Sequence, residues 1–466
     1  MNMLALSWDL QKASVRSRTG TGLVAGLAIL SLTVCSWISF IVAGGTWMFY
    51  QRSRNLTDLP VAIHESRSPE DMLRFYVILS LIACAFLFPA VFSLTTQAAV
   101  MGASGREQRL AALRLVGISS RQITAITAVE TALQALIGIV LGGLLSLLTV
   151  PLGSKFTFQT RPLSPTDLFL PWWGYPLVAG ILLGLAVLSS VAGMQRVRVS
   201  PLGVARREIP RALRWWRLLI TAVVLVGGYL WLNAHQMKTD TEFLLTLFFV
   251  LFIMVSVLNV GAPFILQLWF RLVALLPGTA HFVGTRRIAT DARAAWRRCS
   301  ATAFYGVLVG VLILSPKGDD GLSSVFREEP DVGMMFADLH TGVMITVVIG
   351  FVIAAVATLL GQAAEVFERA DLSRALNSLG VPRRFHFQVA TWQTMAPIVL
   401  VSLVGFALGG GLMVAMFGQA GDINVPVRAR NAFVFLFAGW MLTALALLAV
   451  EPLRNRVLSA GSRRND

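Results

Sequence analysis

Ten predominantly apolar stretches recur along this 466-residue chain, separated by short polar segments. They lie near Leu23–Trp47, Phe75–Leu94, Ile126–Val150, Trp172–Met194, Leu218–Leu232, Phe243–Leu266, Ala301–Leu314, Gly342–Leu360, Val389–Met416 and Phe433–Val450. A helix needs roughly 20 apolar residues to cross about 30 Å of hydrocarbon, so the pattern predicts ten transmembrane helices. The fifth and seventh are the shortest, and the seventh needs the preceding Trp296–Ser300 turn to reach across. Gly and Pro within the runs fit this reading, because neighbouring helices can re-satisfy the backbone. Trp47, Tyr50, Trp172, Trp173, Tyr175, Trp215 and Trp216 stand at proposed span ends, as interfacial anchors do.

Composition agrees: 56% of residues are apolar and only 14% charged, against roughly 25% charged in an ordinary soluble protein. Lys12, Arg16 and Arg18 precede the first run, which is too long for a signal-peptide core and is read as a retained span. Ten spans put both termini on one side, and 28 of the 39 Lys and Arg residues then share that side while 11 face the other. The positive-inside rule makes it cytoplasmic. Of the 24 acidic residues, 14 fall outside, nine inside, and Glu130 within a span. The net charge of +15 is therefore a topology signal, and no nucleic-acid partner is implied.

After the second span the chain reads REQRLAALRLVGISSRQI (Arg106–Ile123), and after the eighth FERADLSRALNSLGVPRRFHFQ (Phe367–Gln388). Placing Gly380 on Gly117 also brings Arg369 onto Arg106, Leu376 onto Leu113, Arg384 onto Arg121, Thr394 onto Thr131 and Gly405 onto Gly142. Spans one to four and seven to ten thus read as two copies of a four-helix unit joined by spans five and six. The boundaries are 1–207, 208–275 and 276–466, within an all-α integral membrane fold. In the first charged segment Leu110, Leu113 and Leu115 alternate with Arg106, Glu107, Arg109 and Arg114, and Gly117 suits a C′ position where positive φ costs least. Ser119 or Ser120 can cap the third span. Pro382 replaces Ser119 in the second copy. By itself such a segment could simply anchor a loop at the interface, but its duplication in register favours docking of a partner.

The segment REQRLAALRLVGISSRQITAITAVETALQALIGIVLGG resembles the hallmark region of FtsX-like permeases, the membrane subunits of ATP-binding-cassette systems that include the MacB and bacitracin-efflux types. The resemblance is strong in the first unit and weaker in the second, where Ser-Leu-Gly-Val-Pro replaces Leu-Val-Gly-Ile-Ser. It implies that the helix after the second span couples to an ATPase. Carried over position by position, docking falls to Arg106, Glu107, Arg109, Leu110, Leu113, Arg114 and Gly117, and to Phe367, Glu368, Arg369, Leu372, Leu376 and Gly380. The large external domains of those two types have no counterpart here: only Arg52–Met72 and Ser315–His340 occupy the corresponding positions, and neither can bury a sizeable core. The second of these carries six acidic residues and the apolar trio Met334, Met335 and Phe336, which reads as a solvated loop with an interfacial anchor or as a gate.

The chain has no G-x₄-G-K-[ST] phosphate loop, so ATP and Mg belong on a separate subunit. His64, His235, His281, His340 and His386 are scattered, no metal-ligand spacing occurs, and no nucleophile elbow is present, so neither a catalytic nor a metal site is expected. Cys35, Cys84 and Cys299 read as small thiols within the spans. Glu130 is an intramembrane carboxylate and hence a functional candidate, with a structural role near the cytoplasmic span end as the alternative; Gln393 occupies its place in the second copy. The function implied is the permease of an exporter that expels an amphipathic small molecule or peptide, such as an antimicrobial peptide, from membrane lipid with two copies of an ATPase. The alternative is mechanotransmission to an external enzyme or a sensor kinase without transport.

Overall fold

Runs without polar side chains can satisfy their backbone groups in hydrocarbon only as helices, and helices dominate the computed structural model, which describes residues 21–55, 69–104, 120–198, 216–234, 253, 259–312, 330–417 and 425–459. The helices are α1 (Thr21–Arg54), α2 (Pro69–Ser104), α3 (Ser120–Thr149), a four-residue α4 (Pro165–Leu168) and α5 (Gly174–Arg198). They continue as α6 (Trp216–Ala234), α7 (259–273), α8 (Thr279–Thr290), α9 (Ala292–Val311), α10 (Pro330–Glu368), α11 (Ala370–Ser378), α12 (Arg383–Phe417) and α13 (Val425–Ser459). Seven of them are long and apolar enough to cross a membrane, within α1, α2, α3, α5, α10, α12 and α13. These carry the expected first to fourth and eighth to tenth spans. The fifth lies in α6 and the seventh in α9, which runs unbroken through Trp296–Ser300. The sixth lies largely outside the described residues.

In the first half α1 packs on α2 and α3, and α5 packs on α2 and α3. In the second half α9 packs on α10 and α12, and α13 on α10 and α12. The pairs α1·α3 and α9·α12 each cross through glycines, and small residues make such close approach possible. A Cβ added at Gly142 would meet Ser36 Oγ and lie 2.6 Å from the Thr33 carbonyl oxygen. One added at Gly405 would fall on the Ala303 carbonyl oxygen. The crossing in the first half also carries a hydrogen bond, Ser36 Oγ to the Gly138 carbonyl at 2.8 Å. We expect Gly405→Val to lower the thermal midpoint of the detergent-solubilised protein by the equivalent of about 1–3 kcal/mol, the usual cost of overpacking. Gly411→Ala, whose Cβ would meet nothing within 4 Å, should leave it unchanged.

The two halves share one core, in which Leu94 and Ala98 of α2 meet Ile353, Leu360 and Ala363 of α10. Cys35 and Cys299 are buried and Cys84 is half-buried, all three as free thiols.

Two features differ from the sequence reading. The stretch expected as a solvated external loop becomes helix from Pro330 onward, and Met334 and Met335 are buried in α10 beside other helices instead of anchoring at an interface; residues 315–329 lie outside the described residues. Between α3 and α5 a small antiparallel hairpin pairs Thr157–Phe158 with Arg161–Pro162. Its two turn residues, Gln159 and Thr160, both have positive φ (57° and 60°), as a two-residue turn matching strand twist requires, although neither is Gly or Asn. What holds it is burial. Phe158 packs with Met48 and Leu163, and the Gln159 N–H donates to Asp338 Oδ2 at 2.8 Å. Tyr76 of α2 donates to the same oxygen at 2.6 Å. Arg52 closes the cluster by donating to the Phe158 carbonyl and pairing with Asp167 at 2.9 Å. A carboxylate of α10 thus ties the hairpin and α2 together.

Candidate functional site

At the opposite end of α10 from Asp338 the chain turns sharply into α11. Arg369, at φ −106° and ψ 15°, leaves the helical path and separates the long helix from the nine-residue one. Asp371 sits in the first turn of α11, where a carboxylate favours the positive end of the helix dipole, and it pairs with Arg374 at 3.1 Å. The helix stops at a Schellman arrangement: Gly380 adopts φ +89°, its N–H donates to the Asn377 carbonyl, and the Val381 N–H donates to the Leu376 carbonyl, each at 3.1 Å. Positive φ at this position is the reason the sequence needs glycine there. Ala370 and Leu376 turn toward the bundle, where α11 rests on α13, while Leu372 and Leu379 are 53% and 80% exposed. Two large apolar side chains thus stand in the open, one on this short charged helix and one at its C-cap.

Behind α11, Glu365 joins five segments. Its carboxylate pairs with Arg369 at 3.2 Å and with Arg298 of α9 at 3.5 Å. It also accepts from Gln393 of α12 at 3.0 Å and from Gln362 of its own helix at 3.4 Å. Gln393 in turn accepts from Arg287 of α8 at 3.4 Å. Burial, and then the neighbouring Arg369 charge, push the Arg287 guanidinium below its ordinary range, with Glu365 acting the other way. Because the Glu365 side chain is only 14% exposed, these charges are screened less by water and salt than surface pairs are. The pivot of α11 is therefore fixed to α8, α9 and α12 through one carboxylate.

The sequence-derived positions are distributed unevenly over this geometry. Leu372 and Leu376 lie on α11, Arg369 forms the break and Gly380 the stop, whereas Phe367 and Glu368 belong to the last turn of α10. Arg106, Glu107, Arg109, Leu110, Leu113, Arg114 and Gly117 lie outside the described residues. Glu130 is buried in α3, one turn from Gln134 and beside Thr131, whose hydroxyl donates to Ser190 of α5 at 3.1 Å. Glu365, Arg298 and Arg287 were not singled out from the sequence. The signal that could have found Glu365 is a carboxylate one turn before a charged helix, at the end of a span read as stopping at Leu360. At the aligned positions of the first unit the chain has Gly102 and Glu130 where the second has Glu365 and Gln393, so the acid changes helix between the halves.

Among the described residues no group of three or more His, Cys, Asp and Glu side chains is placed to hold a metal ion. No curated protein matches the chain. Residues 72–202, from α2 through α5, match the family described as FtsX-like permease C-terminal. Over that stretch, which includes three of the membrane-crossing helices, the chain is similar to the C-terminal domain of FtsX-like permeases.

Proposed function

We propose that this chain is the permease of an ATP-driven exporter that moves an amphipathic compound, such as an antimicrobial peptide, out of the membrane, powered by a separate cytoplasmic ATPase. The observation that carries the reading is α11: a short helix stopped by Gly380, pivoted on the Glu365 cluster, with Leu372 and Leu379 exposed for a partner. The segment Arg106–Val116 takes the same role in the first unit, so one chain offers two docking helices to one pair of ATPases. The similar packing order of α1, α2, α3, α5 and of α9, α10, α12, α13 supports treating the halves as repeated units. Both docking helices then face the cytoplasm, a placement that the arginine distribution supports. When ATP closes the ATPase pair, each docking helix is drawn with its subunit and the motion enters the bundle through α10.

The test is reconstitution of the chain with its ATPase in vesicles, following ATP hydrolysis together with movement of a labelled amphipathic peptide. Peptide-stimulated hydrolysis with ATP-dependent movement is expected. Stimulated hydrolysis without movement would overturn the exporter reading in favour of mechanotransmission.

A further inference from the structure

Between α11 and the ends of its neighbours lies a cavity that shares Leu372 with the docking face but whose basic wall the docking role leaves unused. Its polar wall is formed by Arg287 of α8, Arg369 at the break, His386 in the first turns of α12 and Arg454 of α13. Its apolar wall includes Leu376 and Val457. Glu365 is the one acidic residue of the lining, and it is shared between Arg369 and Arg298. Arg454 is 7% exposed and held by Glu451 at 2.6 Å. Arg287 reaches a neutral amide at 3.4 Å, and His386 Nε2 is buried without a hydrogen-bond partner. The lining thus carries three guanidiniums against one carboxylate, beside aliphatic side chains.

We infer that this cavity binds an anionic phospholipid, its phosphate between Arg287, Arg454 and His386 and its glycerol and upper acyl chain against the aliphatic wall. Three observations select that ligand. The charge excess calls for an anion, and guanidiniums suit phosphate oxygens in particular. The aliphatic half of the lining has nothing to offer a free inorganic ion. The position, at the arginine-rich ends of α10, α12 and α13 where spans leave the hydrocarbon, is where basic pockets between helices take lipid head groups. A lipid seated there would rest against the inner side of α11, adding a membrane-derived contact to a helix otherwise held by protein alone.

The experiment uses the delipidated full chain in neutral detergent, without any ATPase, so that its outcome is independent of the exporter reading. Native mass spectrometry would titrate phosphatidylglycerol, phosphatidylcholine and inorganic phosphate separately. We expect a first phosphatidylglycerol to bind at least tenfold more tightly than phosphatidylcholine, and inorganic phosphate not to bind at millimolar concentration. Guanidinium–phosphate hydrogen bonds are charge-assisted and often bidentate, so each arginine removed weakens the site severalfold. Arg287→Gln should therefore weaken the first phosphatidylglycerol about fivefold, and Arg287→Gln with Arg454→Gln about thirtyfold. Arg428→Gln, at the opposite end of the bundle, should not change it. Arg287→Gln breaks no ion pair found among the described residues, so it keeps the test informative if the double variant does not fold. Equal binding by wild type and Arg287→Gln would overturn the inference, as would equal affinity for the two lipids; binding of inorganic phosphate alone would reassign the cavity to a soluble anion.

Discussion

Leu372→Asp combined with Leu379→Asp is expected to halve the number of ATPase subunits bound by the permease and to reduce coupled ATP hydrolysis at least tenfold. The physical basis is exposure. Both side chains are largely free of the bundle, so the substitutions change the docking surface without opening a cavity in the core. Truncating a buried interface anchor costs about 2 kcal/mol or more, and placing a carboxylate against an apolar groove adds a desolvation penalty. Native mass spectrometry of the complex reads the result directly. Wild type should carry one chain with two ATPases, the double variant one chain with one, and a further Leu113→Asp, Arg114→Glu change in the first unit should leave the chain alone. Two ATPases retained on the Leu372, Leu379 variant would remove the docking role from α11. Two copies of this chain per ATPase pair in the wild type would instead overturn the proposal that one chain supplies both docking helices.

The second large effect concerns the other end of α10. Asp338→Leu would leave the Tyr76 hydroxyl and the Gln159 N–H without their shared acceptor inside the fold. A buried group stripped of its partner costs about 1–3 kcal/mol, so the pair should cost about 2–6 kcal/mol. The hairpin bears most of this, because Gln159 and Thr160 hold their positive φ values only while the packing around them persists. Hydrogen exchange at the Gln159 amide should accelerate by more than tenfold, with amides of the α3 midsection unaffected. Asp338→Asn, which keeps one acceptor oxygen, should fall between. Unchanged exchange in Asp338→Leu would show that side-chain packing alone holds the turn.

The helices and the site were legible in the sequence to different depths. Long apolar runs dictate helices in hydrocarbon, and the glycine register that aligned Gly405 with Gly142 falls on a tight helix contact in each half. The stop of α11 was readable from Gly380, whereas its start was not: the charges suggested a helix from Phe367, but Phe367 and Glu368 continue the preceding helix and the break falls at Arg369. Glu365 was hidden because its partners Arg298 and Gln393 lie 67 and 28 positions away, a proximity only tertiary packing creates. Asp338 was misread for a related reason. A run of acids beside methionines looks solvated, yet Tyr76 and a hairpin from another part of the chain come to cover it. The hairpin itself lacked the Asn-Gly or Asp-Gly turn that would have marked it.

The 39 residues of α10 contain no internal proline, whereas α2, α12 and α13 carry Pro89, Pro397 and Pro452 within their lengths. Positions 338 and 365 are 27 residues apart on that uninterrupted helix, about 40 Å at 1.5 Å per residue. Such a rod cannot absorb a displacement at one end by bending at a hinge. Tilting it by roughly 10° about its middle swings each end by about 3.5 Å in opposite directions, given that length. Under the proposed docking, a pull on α11 would therefore emerge, reversed in sense, as a push at the far end of α10, where Asp338 holds the hairpin and α2.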